Sequence, residues 1–222
     1  MYFTECIRDR INQDGDLASG IHSLIVFNSY VRGDFVEGVS DLDFFAVLTG
    51  DPKEIMPRLT PIVEECTLGI EKVLLDLPWS RLSEIDDPLN KGVPFKFLTI
   101  YQDDFLENHV VVYGKGIEDI LPRYDRKELF GWRAERLLNS PERFKDDPKM
   151  LRISAGEAIR LMALMYGSKS IGKGDIRATL EAIGDEEAQE IFEAYLDGRN
   201  LERSNEYWAE FIASRVRKYL EE

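Results

Sequence analysis

Two aspartates separated by one leucine, Asp41 and Asp43, open an apolar stretch that runs to Leu48. On a β-strand, residues i and i+2 point to the same face, so the two carboxylates would lie side by side. Like charges this close repel, and burying them is costly unless a cation lies between them. Mg²⁺ prefers such oxygen ligands and binds phosphates too. A bare pair of this kind is typical of a solvated loop, but the apolar flanks here favour a sheet edge.

A turn of small residues lies before the two aspartates, and a short polar loop separates it from them. The apolar segment 22–27 predicts a buried strand, which ends at Asn28 and Ser29. A tight turn with a small hydroxyl residue leaves room for phosphate oxygens to meet backbone N–H groups and the Ser29 hydroxyl. A divalent ion held by Asp41 and Asp43 would then neutralise the charge that develops during in-line displacement at phosphorus.

Such a site needs a third acid, which would serve as the general base for an attacking hydroxyl. The apolar segment 69–78 predicts a third strand and contains two candidates, Glu71 and Asp76. They are an odd number of positions apart and face opposite sides of a regular strand, so only one can point into the site. Asp76 is favoured because it lies between two leucines, whereas Glu71 stands beside a lysine and suits a solvated pair.

The composition favours a folded protein with an acidic surface. Of the 222 residues, 44% are hydrophobic, which is enough for a packed core in one large domain or two small ones. The formal net charge of -14 makes nucleic acid an unlikely partner, because such binding depends on Lys and Arg neutralising phosphates. The same charge would attract a small cationic substrate by long-range steering.

Cysteine and histidine are too few and too scattered for the commonest metal and nucleophilic sites. Cys6 and Cys66 form no C-x-x-C pair, so neither a disulfide framework nor a thiolate zinc site is expected. His22 and His109 are far apart in sequence, which disfavours a Ser-His hydrolase. The first residues are charged and contain no apolar run, so no signal peptide is predicted. No segment approaches the ~20 apolar residues of a membrane span, and we expect a cytoplasmic protein.

The periodicity of the chain changes near Pro122. Before it, short apolar runs bounded by Gly, Asp or Pro alternate with helical segments. We predict strands at 22–27, 41–48, 69–78 and 108–114, helices at 3–13 and 53–66, and a strand or helix at 93–101. After Pro122 the apolar residues recur at helical spacing. This recurrence is clearest in Leu151, Ala155, Ala158, Met162 and Met165.

The predicted fold class is therefore an α+β domain over residues 1–122, with a small mixed sheet and flanking helices, followed by an all-α helical bundle over residues 123–222. A loop with three glycines and two lysines, 167–174, interrupts the helical half. Asp175 is a candidate N-cap for the helix that follows this loop.

Three motifs of the first half together resemble the polymerase-beta-type nucleotidyltransferase superfamily. They are Asn28-Ser29 at a strand end, Arg32-Gly33 soon after, and Ser40-Asp41-Leu42-Asp43 before an apolar strand. Leu75-Asp76-Leu77 is similar to the family's third carboxylate, which has apolar neighbours on both sides. The chain departs from the family at Asn28, where glycine is usual. Asparagine best tolerates a left-handed conformation among non-glycine residues, so the turn can form, although its side chain would crowd the phosphates.

The second half is similar to the helical substrate domain of the streptomycin/spectinomycin-type aminoglycoside adenylyltransferases. The loop from Tyr166 to Lys173 resembles their Gly-x-Ile-x-x-Lys loop, in which a lysine meets the nucleotide phosphates. Lys173 matches that lysine best, and Lys169 is the alternative.

The resemblance implies a Mg²⁺-dependent enzyme that transfers a nucleoside monophosphate to a hydroxyl of a small acceptor. The expected group is AMP, and the expected donor is ATP. Its catalytic residues and metal ligands would be Asp41, Asp43 and Asp76. Its nucleotide-binding residues would be Asn28, Ser29, Arg32, Ser40 and Lys173. The helical domain would close over the cleft and contact the acceptor.

Several alternatives stay open. Members of the superfamily also serve as nucleotide-binding or antitoxin-like modules without turnover, and Asn28 in place of glycine is compatible with that role. An RNA acceptor is disfavoured by the net charge. For Arg32, a phosphate contact and a merely solvated side chain are equally consistent with the sequence. The acid pairs Asp86-Asp87 and Asp103-Asp104 are predicted to lie in solvated turns, because adjacent residues do not share a strand face.

Overall fold

The computed structural model describes residues 2–36, 40–70, 74–92, 94–197, 199 and 201–220. The chain divides into two compact units, Met1–Arg123 and Tyr124–Glu222. The first contains a mixed sheet with flanking helices, and the second consists of helices. Within the described segments, no helix combines the length and apolar composition that crossing a membrane requires.

The sheet of the first unit is built around two long antiparallel strands. Its five strands are β1 (Ile21–Phe27), β2 (Leu42–Leu48), β3 (Leu75–Asp76), β4 (Trp79–Arg81) and β5 (His109–Gly114). Strand β1 pairs antiparallel with β2 on one side and with β5 on the other. Strand β2 pairs parallel with β3 and then with β4 along its outer edge. The predicted strands at 22–27, 41–48 and 108–114 are confirmed.

Both faces of β1 and β2 are covered, which explains why their sequences are continuous apolar runs. The helices of this unit are α1 (Tyr2–Asn12), α2 (Gly15–Gly20), α3 (Ser29–Arg32), α4 (Pro52–Thr67) and α5 (Gln102–Glu107). One face packs against apolar residues of α1, α2 and α4. The opposite face carries an aromatic cluster that we define as Phe27, Phe45, Phe95, Phe97 and Phe105.

Helix α4 contains two internal prolines, residues that usually disturb a helix. It begins at Pro52, where a missing N–H costs nothing, and the Asp51 carboxylate accepts a hydrogen bond from the Lys53 N–H at 3.0 Å. Pro57 and Pro61 lie inside the helix, whose Ile55, Leu59, Val63 and Cys66 are buried against the sheet. Burial of this face holds the helix despite the lost backbone hydrogen bonds.

The expectation of no disulfide is wrong for Cys6 and Cys66. The two residues form a disulfide, with their Cα atoms 5.8 Å apart. They are 60 residues apart in sequence and meet because α1 and α4 pack side by side. No local spacing rule could detect a pair that is brought together only by helix packing.

The strand predicted over 69–78 is much shorter than expected. Pairing begins at Leu75, breaks at Leu77 and Pro78, and resumes at Trp79. Pro78 has no N–H to donate, although its carbonyl accepts from the Ala46 N–H at 3.0 Å. Residues 71–73, which include Glu71, lie outside the described residues. Segment 93–101 contains a short 3₁₀ helix, Lys96–Leu98, rather than a strand.

The second unit is helical, as predicted. Its helices are α6 (Arg126–Leu138), α7 (Ser140–Arg143), α8 (Pro148–Met165), α9 (Lys173–Ile183), α10 (Glu186–Leu196) and α11 (Asn205–Leu220). Helix α8 is the central one and packs against α6, α9, α10 and α11. The expected N-cap at Asp175 is wrong, because α9 begins at Lys173 and Asp175 lies within its first turn. There its carboxylate accepts a hydrogen bond from the Ser170 hydroxyl at 2.7 Å.

Candidate functional site

Asn28 has a backbone conformation that side chains rarely adopt. Its φ is 63° and its ψ is −143°, and it is the one non-glycine residue with positive φ in the described part of the chain. This lies outside the left-handed helical region, which has positive ψ, and close to a region occupied almost only by glycine. Such strain costs of order 1–3 kcal/mol and persists only where the surroundings impose it. A glycine at this position would relieve the strain.

The strained residue leads directly into the one-turn helix α3. The carbonyl of Ser29 accepts hydrogen bonds from the N–H groups of Gly33 at 3.0 Å and Asp34 at 3.1 Å. Gly33 closes the turn with φ 87°, a conformation that glycine adopts without a Cβ penalty. The Asn28-Ser29 turn therefore has a fixed geometry, and Ser29 is 8% exposed at its base.

Strand pairing brings Asp43 beside this turn and beside the third acid. In the antiparallel register Phe27 is opposite Asp43, so the residue after Phe27 reaches the start of β2. The Asn28 side chain donates from Nδ2 to Asp43 Oδ2 at 3.2 Å. On the other side, the parallel register places Asp76 opposite Asp43. Neighbouring strands are about 4.8 Å apart, so these two acids are lateral neighbours.

The pKa values of the acids reflect this crowding. Burial, together with the negative charges of Asp76 and Asp41, raises the pKa of Asp43 to about 7, against the lowering effects of the Asn28 hydrogen bond and the Arg32 charge. Burial also raises the pKa of Asp76, while the positive charge of Lys96 lowers it. We call Asp41, Asp43 and Asp76 the acid cluster. A bound cation would favour its fully ionised form.

The acid cluster is chemically suited to a hard divalent ion. Its donors are all carboxylate oxygens, the ligands that Mg²⁺ prefers, and burial together with the charges of Asp76 and Asp41 makes ionised Asp43 costly unless a cation is bound. Across the residues that the structure describes, no group of three or more His, Cys, Asp or Glu side chains is arranged to hold a metal ion. Mg²⁺ keeps several waters and binds substrate phosphates, so few carboxylates suffice for it.

Arg32 is neither solvated nor isolated. Its Nε donates to Asp34 Oδ1 at 3.0 Å, and its Nη1 donates to Asp104 Oδ2 at 2.7 Å. The prediction of a solvated turn is wrong for Asp104, which is only 5% exposed on α5. The sequence contained a signal for this, because Tyr101, Asp104 and Phe105 have the spacing that places residues on one face of a helix. In the structure both aromatic residues are buried.

Lys96 is a second residue that the sequence analysis missed. It stands between Phe95 and Phe97, whose rings stack with centroids 5.2 Å apart. Both rings also contact Phe45, which lies two positions after Asp43 on β2. The aromatic cluster therefore brings a lysine to the acid cluster, where its charge lowers the pKa of Asp76. An alternating Phe-Lys-Phe segment beside an apolar core is the signal that could have indicated it.

The remaining predicted site residues have different surroundings. The Ser40 hydroxyl accepts from the Val36 N–H at 3.0 Å, which ties the two described ends of the loop before β2. Asp41 is exposed just before that strand, while Lys173 is the first residue of α9 in the second unit. Lys169 is exposed in the preceding loop. Around Asp43 the structure thus brings together Asn28, Arg32, Asp41 and Asp76.

A search of solved structures finds a close likeness in fold. No protein-family model matches the chain, and no curated protein matches it. The spectinomycin adenyltransferase AAD(9) from Enterococcus faecialis, in a crystal structure with ATP and spectinomycin, superposes with a TM-score of 0.62 at 17% identity. The match covers 97% of this chain and 96% of that chain. The chain has the adenylyltransferase fold. This confirms the fold that the sequence motifs implied, over both units.

The strain at Asn28 gives a prediction about stability. We expect Asn28→Gly to stabilise the protein by about 1 kcal/mol, because the relieved strain outweighs the lost hydrogen bond to Asp43 and the greater freedom of the unfolded chain. Asn28→Ala should be less stable than Asn28→Gly by about 2 kcal/mol, since it keeps the Cβ and loses the hydrogen bond. Urea unfolding of the three proteins measures both differences.

The glycine–alanine comparison is its own control. At an ordinary position alanine is the more stabilising residue of the two, by about 0.5–1 kcal/mol. An alanine variant as stable as the glycine variant would therefore show that position 28 is not strained.

Proposed function

We propose that this protein is a nucleotidyltransferase that moves a nucleoside monophosphate, AMP from ATP, to a hydroxyl of a small acceptor. The observation that supports this most is the convergence on Asp43. It bonds to Asn28 of the turn, pairs in register with Asp76, and has a pKa raised to about 7 by burial and by its acidic neighbours. An acid held in this state is costly, and a buried acid whose pKa is shifted by neighbouring charges is a candidate for a functional role. The fold of an ATP-bound adenyltransferase supports the same function.

The nucleotide would be bound beside the Asn28-Ser29 turn. Backbone N–H groups of the turn and the Ser29 hydroxyl would donate to phosphate oxygens, and Arg32 would add a directional donor. Ser40 would hold the loop that precedes Asp41. For Lys173, a contact with the nucleotide phosphates stays a prediction from the loop motif.

Asp41, Asp43 and Asp76 would be the ligands of Mg²⁺. When bound, Mg²⁺ would supply charge neutralisation for the phosphates. The acid cluster would orient the α-phosphate with respect to the acceptor. The Asn28 side chain would hold Asp43 in one position through its hydrogen bond.

Asp76 is the residue best placed to activate the acceptor. Burial raises its pKa, which makes it a better proton acceptor than an ordinary aspartate. It would take the proton of the acceptor hydroxyl as that oxygen attacks the α-phosphorus. One P–O bond forms to the acceptor, the bond to the β-phosphate oxygen breaks, and pyrophosphate leaves.

Net charge and the structural neighbour support one class of acceptor. A net charge of -14 favours a cationic small molecule, and the neighbouring structure contains spectinomycin. We therefore propose an aminoglycoside-like or aminocyclitol-like acceptor that offers a hydroxyl close to ammonium groups.

A transfer assay tests the function directly. We expect pyrophosphate release from MgATP with at least one member of a panel of aminocyclitol and aminoglycoside acceptors, and label transfer from α-labelled ATP to that acceptor. Asp41→Ala should lower this transfer at least about 10²-fold, because it removes one carboxylate of the proposed ion site. Transfer that persists undiminished in Asp41→Ala would mean that the metal assignment is wrong.

A second candidate function is a nucleotide-binding module without turnover. The side chain of Asn28, where glycine is usual, supports this alternative because it occupies space beside the phosphates. Calorimetric binding of MgATP with no pyrophosphate release across the panel would favour the module. In that case Asn28→Gly is the variant in which to look for restored turnover.

A further inference from the structure

Arg32 and Asp104 form a largely buried ion pair that the proposed chemistry leaves unexplained. The side chain of Arg32 is 15% exposed and that of Asp104 is 3% exposed, with 2.7 Å between Nη1 and Oδ2. Removing one partner of a buried pair is strongly destabilising, because the other charge is left without compensation. The pair joins α3, which follows the Asn28-Ser29 turn, to α5, which precedes β5.

Asp104 is itself held by the end of α5. Asn108 donates from Nδ2 both to Asp104 Oδ1 at 3.3 Å and to the Asp104 carbonyl at 3.1 Å. Residue Asn108 immediately precedes β5, which pairs with β1. The carboxylate that accepts from Arg32 is therefore fixed to the sheet and not to a loose loop.

Two carboxylates fix the plane of the Arg32 guanidinium. Asp34 accepts from Nε and Asp104 accepts from Nη1, on different nitrogen atoms of a rigid planar group. Within the described residues, Nη2 donates to no protein group. The guanidinium is also close enough to Asp43 for its charge to lower the pKa of that acid. One nitrogen of an oriented group thus remains for a ligand near the acid cluster.

We propose that Asp104 is a positioning residue, which holds Arg32 beside the Asn28-Ser29 turn so that Arg32 Nη2 donates to a phosphate oxygen of the nucleotide. This inference rests on the proposed function. Asp34 and Asp104 offset much of the arginine's charge, so the contribution is a directed hydrogen bond more than a long-range attraction. Its expected effect on affinity is accordingly about tenfold, within the range of a single hydrogen bond to a charged group.

A double-mutant cycle on MgATP affinity tests the proposal, with calorimetric titration of MgATP into the full-length protein as the readout. Arg32→Ala and Asp104→Asn should each weaken MgATP binding about tenfold, because both remove the oriented donor. The double variant should also be weaker by about tenfold and no more, since Asp104 acts only through Arg32. Asp103→Asn, an exposed neighbour on the same helix, is the matched control and should stay within about twofold of the wild type.

The outcomes separate this proposal from the function on which it rests. No MgATP binding by the wild type overturns the proposed function and this inference together. Wild-type binding with an unaffected Asp104→Asn or Arg32→Ala variant overturns the inference alone. So does a double variant that is weaker by about 100-fold, because additive losses indicate two independent structural effects. If Asp104→Asn does not fold, Asp104→Glu takes its place in the cycle, since it keeps the charge and displaces the carboxylate.

Discussion

Asp43→Asn is expected to lower nucleotidyl transfer about 10³-fold and, at pH 8, to make the metal-free protein more stable than the wild type. The loss of transfer follows from removing the central carboxylate of the proposed ion site. The gain in stability follows from the pKa of about 7 that burial and the neighbouring acids impose on Asp43. An asparagine has nearly the same shape as the protonated acid and carries no charge to bury.

The direction of this pH dependence is fixed by the raised pKa. Between the ordinary value of 3.8 and about 7, the folded protein keeps a proton that the unfolded chain has lost. The stabilising contribution of Asp43 is therefore complete below about pH 4 and is lost as the pH rises through 7. At pH 8 the Asp43→Asn variant should be more stable by roughly 1–3 kcal/mol, a value reduced from the full shift because the side chain is partly solvated.

Thermal unfolding at pH 5 and pH 8, with and without Mg²⁺, measures this effect. Added Mg²⁺ should raise the midpoint of the wild type at pH 8 and leave that of Asp43→Asn unchanged, since binding to the folded state alone stabilises it. The exposed acid Asp9 supplies the control, because Asp9→Asn should change neither response. Equal stability of wild type and Asp43→Asn at pH 8 would contradict the raised pKa.

Asp76→Asn is expected to lower the turnover number of transfer about 10²–10⁴-fold, the usual contribution of a general base. Its effect on MgATP affinity should be much smaller than its effect on turnover, because Asp41 and Asp43 would still hold the ion. The turnover of the wild type should increase with pH as Asp76 loses its proton and then level off, because only the ionised carboxylate can accept the proton of the acceptor hydroxyl. The variant should lose this part of the pH profile.

Steady-state kinetics at several pH values measure these effects, and Glu71→Gln is the control. Glu71 is the other acid of the same segment, and its substitution should leave turnover within about twofold. If Glu71→Gln abolishes transfer and Asp76→Asn does not, the roles of the two acids are reversed. If both variants retain full turnover, neither residue is the base.

The local pattern of the sequence was sufficient for the elements that carry the site. Strands β1 and β2 are confirmed because a strand buried on both faces has a continuous apolar run between turn residues. Strand β5 is confirmed because a short run of branched apolar residues ends at a glycine, which is also a local signal. The helical second unit is also confirmed, because its buried residues recur at helical spacing, which is likewise a local signal. The two-residue spacing of Asp41 and Asp43 before an apolar strand was also readable without any partner strand.

Pairing across the sheet explains what the local pattern did not provide. Strand β3 is only two residues long, and its parallel register with β2 is what places Asp76 beside Asp43. Lys96 lies near the acid cluster because its neighbours Phe95 and Phe97 pack against Phe45, which is distant in sequence. The disulfide between Cys6 and Cys66 and the ion pair between Arg32 and Asp104 likewise join elements that meet only after packing.

The sequence by itself determined the residue types of the site, the order of the strands and helices that carry them, and the position where asparagine stands in a glycine-like turn. Only the tertiary structure decided which acids become neighbours, how far burial raises the pKa of Asp43, and which carboxylates orient Arg32. The physical reason is that spacing along a strand or helix is fixed by backbone geometry. Desolvation and charge pairing depend on groups brought together from distant parts of the chain.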